Sequence, residues 1–454
     1  MATLKENILA CDKNVPRYTS YPTALHFKVI EQDSDAGHYL EQIPEHEELS
    51  LYIHLPFCPK LCWYCGCHTK ITQQYEPVQN YLHLLNKEID LLTQKLSPGH
   101  KISHIHFGGG SPGMMKAADF DALMSHLKQR FEMTPSAEIA IEIDPRNVTE
   151  ARVSAYAKHG VSRISLGIQD FDEKVLASVN REQPFDLSYD ALKLFRAYGI
   201  HHFNFDLMYG LPHQSVESMS KAIMGALMLG PDRIAFFGYA HVPWMKKHMR
   251  LINEDALPDN SLRYDLFEAG AKLLETNGFQ PIGIDHFARA DDEMITALKT
   301  GTLRRNFQGY TTDQAKTLIG IGLSSISKYE GGFTQNSPDM PAYEQAVTEG
   351  RLPVKKIYNM KADDYIRADI IERLMCDFKV DLSVISQKFG LDIAQFKPEL
   401  SELRQYEDLG FVKVINNSVI QINKKARPAA RLVCSVFDAY FQESQNIQRH
   451  ARAV

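Results

Sequence analysis

A chain of 454 residues can hold one large domain with a smaller one beside it. Its 44% hydrophobic and 23% charged residues are those of a soluble globular protein, and no apolar stretch is long enough to span a bilayer. A net charge of −6 gives no general attraction to nucleic acid or anionic membrane, so neither is expected as a partner. The first residues, Met-Ala-Thr-Leu-Lys-Glu-Asn, lack the apolar core of a secretory signal, and a cytoplasmic protein is expected.

Residues 1–35 hold no sustained period and contain Pro16 and Pro22; they are expected to form an arm packed on the main domain. Strand candidates follow at Leu51–His54, Ile102–Phe107, Ile139–Ile143, Arg163–Ile168, Phe203–Leu207 and Arg233–Phe237. Between them lie stretches with apolar residues at helical spacing, such as Tyr81–Leu92. Strand then helix, repeated six times, predicts an α/β fold with a parallel sheet, either doubly wound or a partial (β/α)6 barrel. From about residue 350 the pattern changes. Asp363–Met375 reads as an amphipathic helix, Phe396–Leu400 as a second amphipathic stretch, and Phe411–Ile415 with Val419–Ile422 as a hairpin turning at Asn416-Asn417. Helices followed by a hairpin predict a small, mainly helical, winged-helix-like C-terminal domain. Lys424, Lys425, Arg427 and Arg431 beyond it read as a solvated face.

One run carries most of the chemistry: Cys58-Pro-Lys-Leu-Cys62-Trp-Tyr-Cys65-Gly-Cys67. Thiols at i, i+4 and i+7 can hold three corners of an iron–sulfur cube, leaving one iron open to a small molecule. A zinc site is the competing reading, with His68 as a local fourth ligand, but only Cys62 and Cys65 fit a zinc knuckle. Cys11, Cys376 and Cys434 are scattered and read as ordinary buried thiols. Thiols crowded into one motif argue for a reducing compartment rather than a disulfide framework. The cysteine loop, a glycine run at 108–110, Glu142, Gln169, Asp206 and Ala240 each fall at or just past a strand's C-terminal end, on the rim where barrel folds keep their active sites.

C-x3-C-x2-C is the signature of the radical S-adenosylmethionine superfamily, and the added Cys67 resembles the oxygen-independent coproporphyrinogen III oxidase family. The resemblance extends through Arg17-Tyr-Thr-Ser-Tyr-Pro-Thr23, Gly108-Gly-Gly-Ser-Pro112, Asp206-Leu-Met-Tyr-Gly-Leu-Pro212, Tyr239-Ala-His-Val-Pro-Trp244, Asp285-His-Phe-Ala288 and Arg305-Asn-Phe-Gln-Gly-Tyr-Thr-Thr312. It selects the partial (β/α)6 TIM-like barrel, spanning 36–350, with the C-terminal domain at 351–454 covering it. It implies a [4Fe–4S] cluster on Cys58, Cys62 and Cys65, and two S-adenosylmethionine molecules. Their implied contacts are Tyr52, Tyr64, Gly109, Gly110, Ser111, Glu142, Gln169, Arg181, Asp206, Ala240 and Ile326. The family usually has Thr at Ser111 and Phe at Tyr64; the hydroxyl and the ring survive. The glycine run would cradle the methionine amine and carboxylate with its backbone. Cys67 is implied to be needed for activity without binding the cluster.

The implied reaction converts two propionates of coproporphyrinogen III to vinyl groups through a 5′-deoxyadenosyl radical, giving protoporphyrinogen IX. Arg17, Tyr18, Arg304, Arg305, Asn306, Gln308 and Tyr310 are the candidates to grip propionates. A monomer reduced by a flavodoxin or ferredoxin is expected. A haem-trafficking relative on the same scaffold is the alternative, although such relatives generally lack the fourth cysteine, the arm motif and the Asn-Phe-Gln-Gly-Tyr-Thr-Thr segment. A DNA-binding regulator using the C-terminal domain is a third, which the acidic balance disfavours.

Overall fold

The structure, a computed structural model, describes residues 2–11, 13–30 and 36–441. Six strand–helix units run in order: β1 (Glu48–Leu55) and α1 (Glu76–Lys95), β2 (Lys101–Gly109) and α2 (Ala117–Arg130), β3 (Glu132–Ile143) and α3 (Glu150–His159), β4 (Arg163–Gln169) and α4 (Phe185–Ala197), β5 (His202–Tyr209) and α5 (Val216–Met228), β6 (Arg233–Gly238) and α6 (Asn260–Thr276). Neighbouring strands pair in parallel from β1 to β6. Each expected strand lies inside an observed one.

Eight further strands follow: β7 (Phe279–Ile282), β8 (His286–Arg289), β9 (Arg304–Asn306), β10 (Gly309–Thr311), β11 (Thr317–Ile321), β12 (Ile326–Tyr329), β13 (Gly332–Asn336) and β14 (Val354–Asn359). β11 adds a seventh parallel strand beside β1, and β12, β13 and β14 continue antiparallel from it. At the other edge β8 and then β7 close off β6. β9 and β10 form a separate hairpin. The sequence reading missed β11–β14 because short runs such as Thr-Leu-Ile-Gly-Ile carry no alternation and are broken by glycine.

The two faces of the sheet differ in chemistry. In β1, Leu49, Leu51, Ile53 and Leu55 are buried in the main core with residues of α1 and α2. Ser50, Tyr52 and His54 alternate with them and face the inside. Near the N-terminal strand ends the inside is plugged by ions. Arg163 bonds Glu138 (3.1 Å), Asn204 (3.3 Å) and Glu293 (3.1 Å), and Arg233 bonds Glu293 (2.6 Å) and Asp292 (2.9 Å). Asp313 joins Ser50 and His104 to this floor. Buried charges of this kind persist only when paired. The floor leaves the C-terminal ends of the strands as the open end of the cup.

The C-terminal unit starts at α7 (Ala362–Asp377) and continues through β15 (Lys379–Asp381), α8 (Leu382–Phe389), α9 (Lys397–Asp408), β16 (Val412–Ile415) and β17 (Val419–Ile422) to α10 (Ala430–Ser435). Its three strands form one antiparallel sheet with β17 in the middle. That order of helices and strands is the winged-helix arrangement, and the hairpin turns through Asn416 and Asn417 at positive φ, which Asn tolerates. Two expectations change. Ile8, Val15, Tyr18 and Tyr21 of the arm share a core with Ile370, Phe411 and Phe437 of the C-terminal unit, whereas Phe27 packs on Phe333 and Tyr358 of the barrel as expected. The barrel holds the arm by the Lys5–Asp265 ion pair and by Lys28–Val29, which pairs with β14. Arg427 and Arg431 are buried, not solvated. Among the described residues no helix is long and apolar enough to cross a membrane. Residues 31–35 and 442–454, which close the expected arm and tail, lie outside the described residues.

Candidate active site at the strand ends

The cysteine loop leaves β1 at Leu55 and is closed at its base by two short strands, Phe57–Cys58 and Lys70–Ile71, paired in parallel. Four contacts from other rim loops pin it. Trp63 N–H donates to the Val179 carbonyl (3.0 Å) and Asn180 Nδ2 to that of Leu61 (2.7 Å). His248 Nε2 reaches the Cys65 carbonyl (2.8 Å), and Lys246 Nζ the Cys67 carbonyl (2.9 Å). Two guanidiniums address one sulfur: Arg181 Nη1 lies 3.4 Å and Arg146 Nη2 3.6 Å from Cys62 Sγ. Both are oriented by Asp144. Arg181 also donates to Tyr64 (3.2 Å), Gln183 (2.9 Å) and the Gly167 carbonyl (2.5 Å). Burial pushes the Cys58 thiol up to about 12. The Cys65 thiol is pulled down, chiefly by its bond with the Cys67 thiol, which is pushed up in turn.

Inside the cup, Glu142 accepts from His106 Nε2 (3.0 Å) and from Gly109 N–H (3.2 Å). A side chain at Gly108 would strike its Oε1 at 2.8 Å, which explains a glycine there. Gly109 sits at φ 115°, where a Cβ would meet the His54 ring at 2.6 Å. His54 donates from Nε2 to the His68 carbonyl (3.2 Å) and accepts at Nδ1 from Tyr52 (3.1 Å). Burial lowers its pKa to about 4 and keeps it neutral. The Tyr52 ring stacks on His106 at 6.0 Å.

Glu142 and Asp206 share the cup but titrate apart. His106 and the Gly109 amide outweigh burial and hold Glu142 below its usual range. Burial, then the Glu142 charge, raises Asp206 to about 7. Asp206 receives no hydrogen bond from the described residues. The Glu142 side chain is 39% exposed, although burial is the largest influence on its pKa. Both follow if it lines an open hollow deep inside the protein. Cys67 is also exposed, and the Glu142 charge adds to what pushes its thiol up.

The structure therefore brings Cys58, Cys62, Cys65, Cys67, Tyr52, Tyr64, Glu142, Arg181 and Asp206 to one end of the sheet. Gln169 ends β4 in a bulge at φ 70°, a strained setting for a non-glycine residue. Ala240 follows β6 on the rim, and Ile326 opens β12. The Gly109 amide donates to the Glu142 carboxylate, and the amides of Gly110 and Ser111 donate to the Leu55 and Phe57 carbonyls, tying the run to the start of the cysteine loop. The buried Ser111 hydroxyl is the polar group left without a partner.

The propionate candidates divide. Tyr18, Arg304, Arg305 and Asn306 line a cavity of about 400 Å³ between the arm, the β9–β10 hairpin and α7. Lys316, Lys328 and Lys388, unforeseen in the sequence, line it too. Tyr310 is committed elsewhere: its hydroxyl donates to the Met375 carbonyl (2.9 Å) and accepts from Ile284 N–H (3.1 Å), leaving its ring face to Arg305. Gln308 closes the hairpin through Asn306, with its Nε2 buried and unbonded. Arg17 is exposed.

Residues 52–224 match the Radical SAM superfamily and residues 360–428 the HemN C-terminal domain. The oxygen-independent coproporphyrinogen III oxidase of Bradyrhizobium diazoefficiens is 43% identical, over 98% of either chain. The chain belongs to the oxygen-independent coproporphyrinogen III oxidase family. The Helicobacter pylori member is 38% identical over 94% of either chain. The solved coproporphyrinogen III oxidase of Escherichia coli, described as a radical SAM enzyme, superposes with a TM-score of 0.89 at 37% identity, covering 94% of this chain and 98% of that one. The fold is accordingly the partial barrel of radical SAM enzymes, with β11 flanking its six units.

Superfamily membership implies a [4Fe–4S] cluster and S-adenosylmethionine. The residues present fit. Two guanidiniums lie within reach of Cys62 Sγ, and the Cys65 thiol is lowered toward the thiolate that binds iron, although burial raises that of Cys58. His68, the fourth ligand of the zinc reading, is turned to the Pro338 carbonyl. Among the described residues no three His, Cys, Asp or Glu side chains converge on one metal ion, whereas a cube takes each thiolate on a separate iron.

Proposed function

We propose that this protein carries out the oxygen-independent oxidative decarboxylation of two coproporphyrinogen III propionates to vinyl groups, giving protoporphyrinogen IX. The observation that carries the reading is likeness over the whole chain, arm and C-terminal unit included, to enzymes named for that substrate. Cys58, Cys62 and Cys65 would hold the cluster. Cluster and S-adenosylmethionine, when bound, supply a 5′-deoxyadenosyl radical able to take hydrogen from a propionate side chain.

The protein's own groups bind, orient and exclude water. Arg181 and Arg146 spread positive charge over Cys62, a hydrogen-bonding arrangement that tunes such clusters. Ionised Glu142 and Asp206 offer acceptors to the ammonium and ribose of S-adenosylmethionine. Tyr52, Tyr64, Gly109, Gly110, Ser111, Gln169, Ala240 and Ile326 complete a site for two such molecules. Cys67 would be needed for activity without serving as a fourth cluster ligand. Arg17, Tyr18, Arg304, Arg305, Asn306 and Gln308 would face the tetrapyrrole, with the arm (1–35) and C-terminal domain (351–454) closing over the catalytic domain. A flavodoxin or ferredoxin would supply the electron to a monomer.

The test is anaerobic reconstitution, then assay of coproporphyrinogen III with dithionite, S-adenosylmethionine and a cell-extract electron acceptor. Protoporphyrinogen should form, and Cys62→Ser should lose both iron and activity. Unchanged substrate with active extract present sinks the reading. Equilibrium dialysis should count two S-adenosylmethionine molecules per chain; one would remove that part.

A further inference from the structure

His286 stands on the inner face of the sheet. On β8 its neighbour Phe287 lies in the main core, so His286, one residue earlier, points the other way. The register fixes its row: His286 pairs with Ala235 on β6, and Ala235 pairs with Asp206 on β5. Directly paired residues share a face, so the imidazole looks into the cup two strands from Asp206. Ile234, Phe236, Phe205 and Leu207, which flank those partners, are buried in the main core on the outer face. The Tyr310 ring meets the imidazole edge-on at 5.1 Å and carries Arg305 at 4.4 Å. His286 therefore lies beside the hairpin proposed to face the tetrapyrrole.

Its two nitrogens have different settings. Nδ1 lies 2.7 Å from the Asp285 carboxylate. Burial would raise Asp285, but His286 and then Arg305 and Arg17 outweigh burial and hold it below its usual range. An ionised carboxylate only accepts, so Nδ1 carries a hydrogen, and in the neutral ring Nε2 keeps its lone pair. Nε2 has no hydrogen-bond partner among the described residues, and the side chain is 13% exposed. A Cβ at position 309 would stand 3.3 Å from Nε2, and Gly309, at φ 127°, leaves that approach open. Phe237 meets the ring edge-on at 5.5 Å and helps to hold it in place.

A porphyrinogen brings two kinds of polar group, carboxylates at its rim and pyrrole N–H donors at its centre. Arg304, Arg305 and the cavity lysines only donate, and they answer the carboxylates. An N–H taken from water without an acceptor is costly. Glu142 already accepts from His106 and Gly109. We propose that His286 Nε2, oriented by Asp285, accepts a hydrogen bond from a pyrrole N–H of the substrate and so selects the porphyrinogen over the oxidised porphyrin. The inference rests on the proposed function and adds a substrate contact to it. Saturated bridges let the rings of a porphyrinogen turn their N–H groups out to an acceptor. In a porphyrin the remaining N–H groups are locked in the ring plane and point at the opposite nitrogens. His286 is the binding residue and Asp285 a positioning residue, which decides which nitrogen is bare.

The test uses the full-length protein, kept anaerobic and unreduced, with coproporphyrinogen III and coproporphyrin III as the two probes. Equilibrium dialysis gives Kd for each, the porphyrinogen being read by fluorescence after oxidation, with thermal melting as a folding control. His286→Phe keeps a ring beside Phe237 and Tyr310 and removes the acceptor. It should weaken coproporphyrinogen III about tenfold and coproporphyrin III little, so the preference for the porphyrinogen falls by about that factor. His286→Gln, whose carbonyl can accept, should lose less. Asp285→Asn should lose the preference as His286→Phe does, because the ring is then free to place its hydrogen on Nε2. A wild type that binds both probes alike overturns the proposal, as does a folded His286→Phe protein with the wild-type preference. Equal weakening of both probes also overturns it, since that would mean a grip on the propionates they share. If His286→Phe does not fold, Asp285→Asn takes the same test with the same outcomes. A wild-type protein that prefers the porphyrinogen through His286 yet leaves it unchanged in the activity assay would instead overturn the proposed reaction.

Discussion

Asp206 and Glu142 are two carboxylates in one hollow with different partners, and the difference sets what each can do. Glu142 has two donors and stays ionised, whereas Asp206 has none and is raised to about 7 by burial and by Glu142. The ammonium and sulfonium of S-adenosylmethionine favour the ionised form of Asp206. Affinity should therefore be highest above pH 7 and weaken as pH falls through about 7. In Asp206→Asn that step should vanish, and affinity at pH 8 should fall about tenfold. Titration of S-adenosylmethionine binding by calorimetry across pH 6–8 checks both; an unchanged pH profile in the variant would assign the step elsewhere. The residue types of this site were legible in the sequence. Polar side chains at strand ends stood out against apolar strands, and three thiols at fixed spacing stood out against everything. Arg146, Lys246 and His248 were not legible, because their only signal is a contact made across the rim by distant loops.

At the scale of elements, α1 is joined to the seventh strand by one buried carboxylate. Glu88 is 1% exposed and accepts from Tyr343 (2.5 Å), Asn336 (2.6 Å) and the amide of Gly322 (2.8 Å), just past β11. Tyr81, two turns earlier on α1 at the i−7 position, accepts from Leu323 N–H and donates to the His54 carbonyl. Helix, seventh strand and the start of the cysteine loop are thus one hydrogen-bonded joint. Burial raises the Glu88 pKa from 4.5 to about 7 against those three bonds. A raised folded-state value means stability from this group is fullest below the unfolded value and declines as pH rises toward 7. Glu88→Gln should flatten that decline. It should also lower stability by about 1–3 kcal/mol, because its amide nitrogen would set a donor against donors. Urea midpoints at pH 5 and pH 8 measure both effects, and a variant as stable as wild type at both would show the joint to be dispensable. Glu88 sits within a plain helical period, so its partners were invisible before the chain was folded.

For the molecule as a whole, the arm links the two larger parts. Ile8 is fully buried in the core it shares with the C-terminal unit. Ile8→Ala should destabilise that core by about 2–5 kcal/mol. The loss should appear as a lowered urea midpoint and as faster proteolysis within the arm, with weaker coproporphyrin binding because the arm carries Arg17. Proteolysis unchanged from wild type would place the arm's anchorage elsewhere, for example on the Tyr18–Asp438 bond.

The amino-acid order by itself determined the six strand–helix units, the rim on which chemistry is placed, the helical C-terminal unit with its Asn-Asn turn, and the cysteine loop. Each rests on local periodicity or fixed spacing, which short stretches of chain carry in full. Tertiary structure alone decided that β11–β14 extend the sheet, that most of the arm's apolar residues pack on the C-terminal unit, that the glycine amides are already engaged, and that Arg431 turns inward to bond the Val15 carbonyl. Those outcomes depend on pairings between residues far apart in the chain, such as Val15 with Arg431 and Glu88 with Asn336. Burial and partnership belong to the folded molecule, and a residue's own type does not carry them.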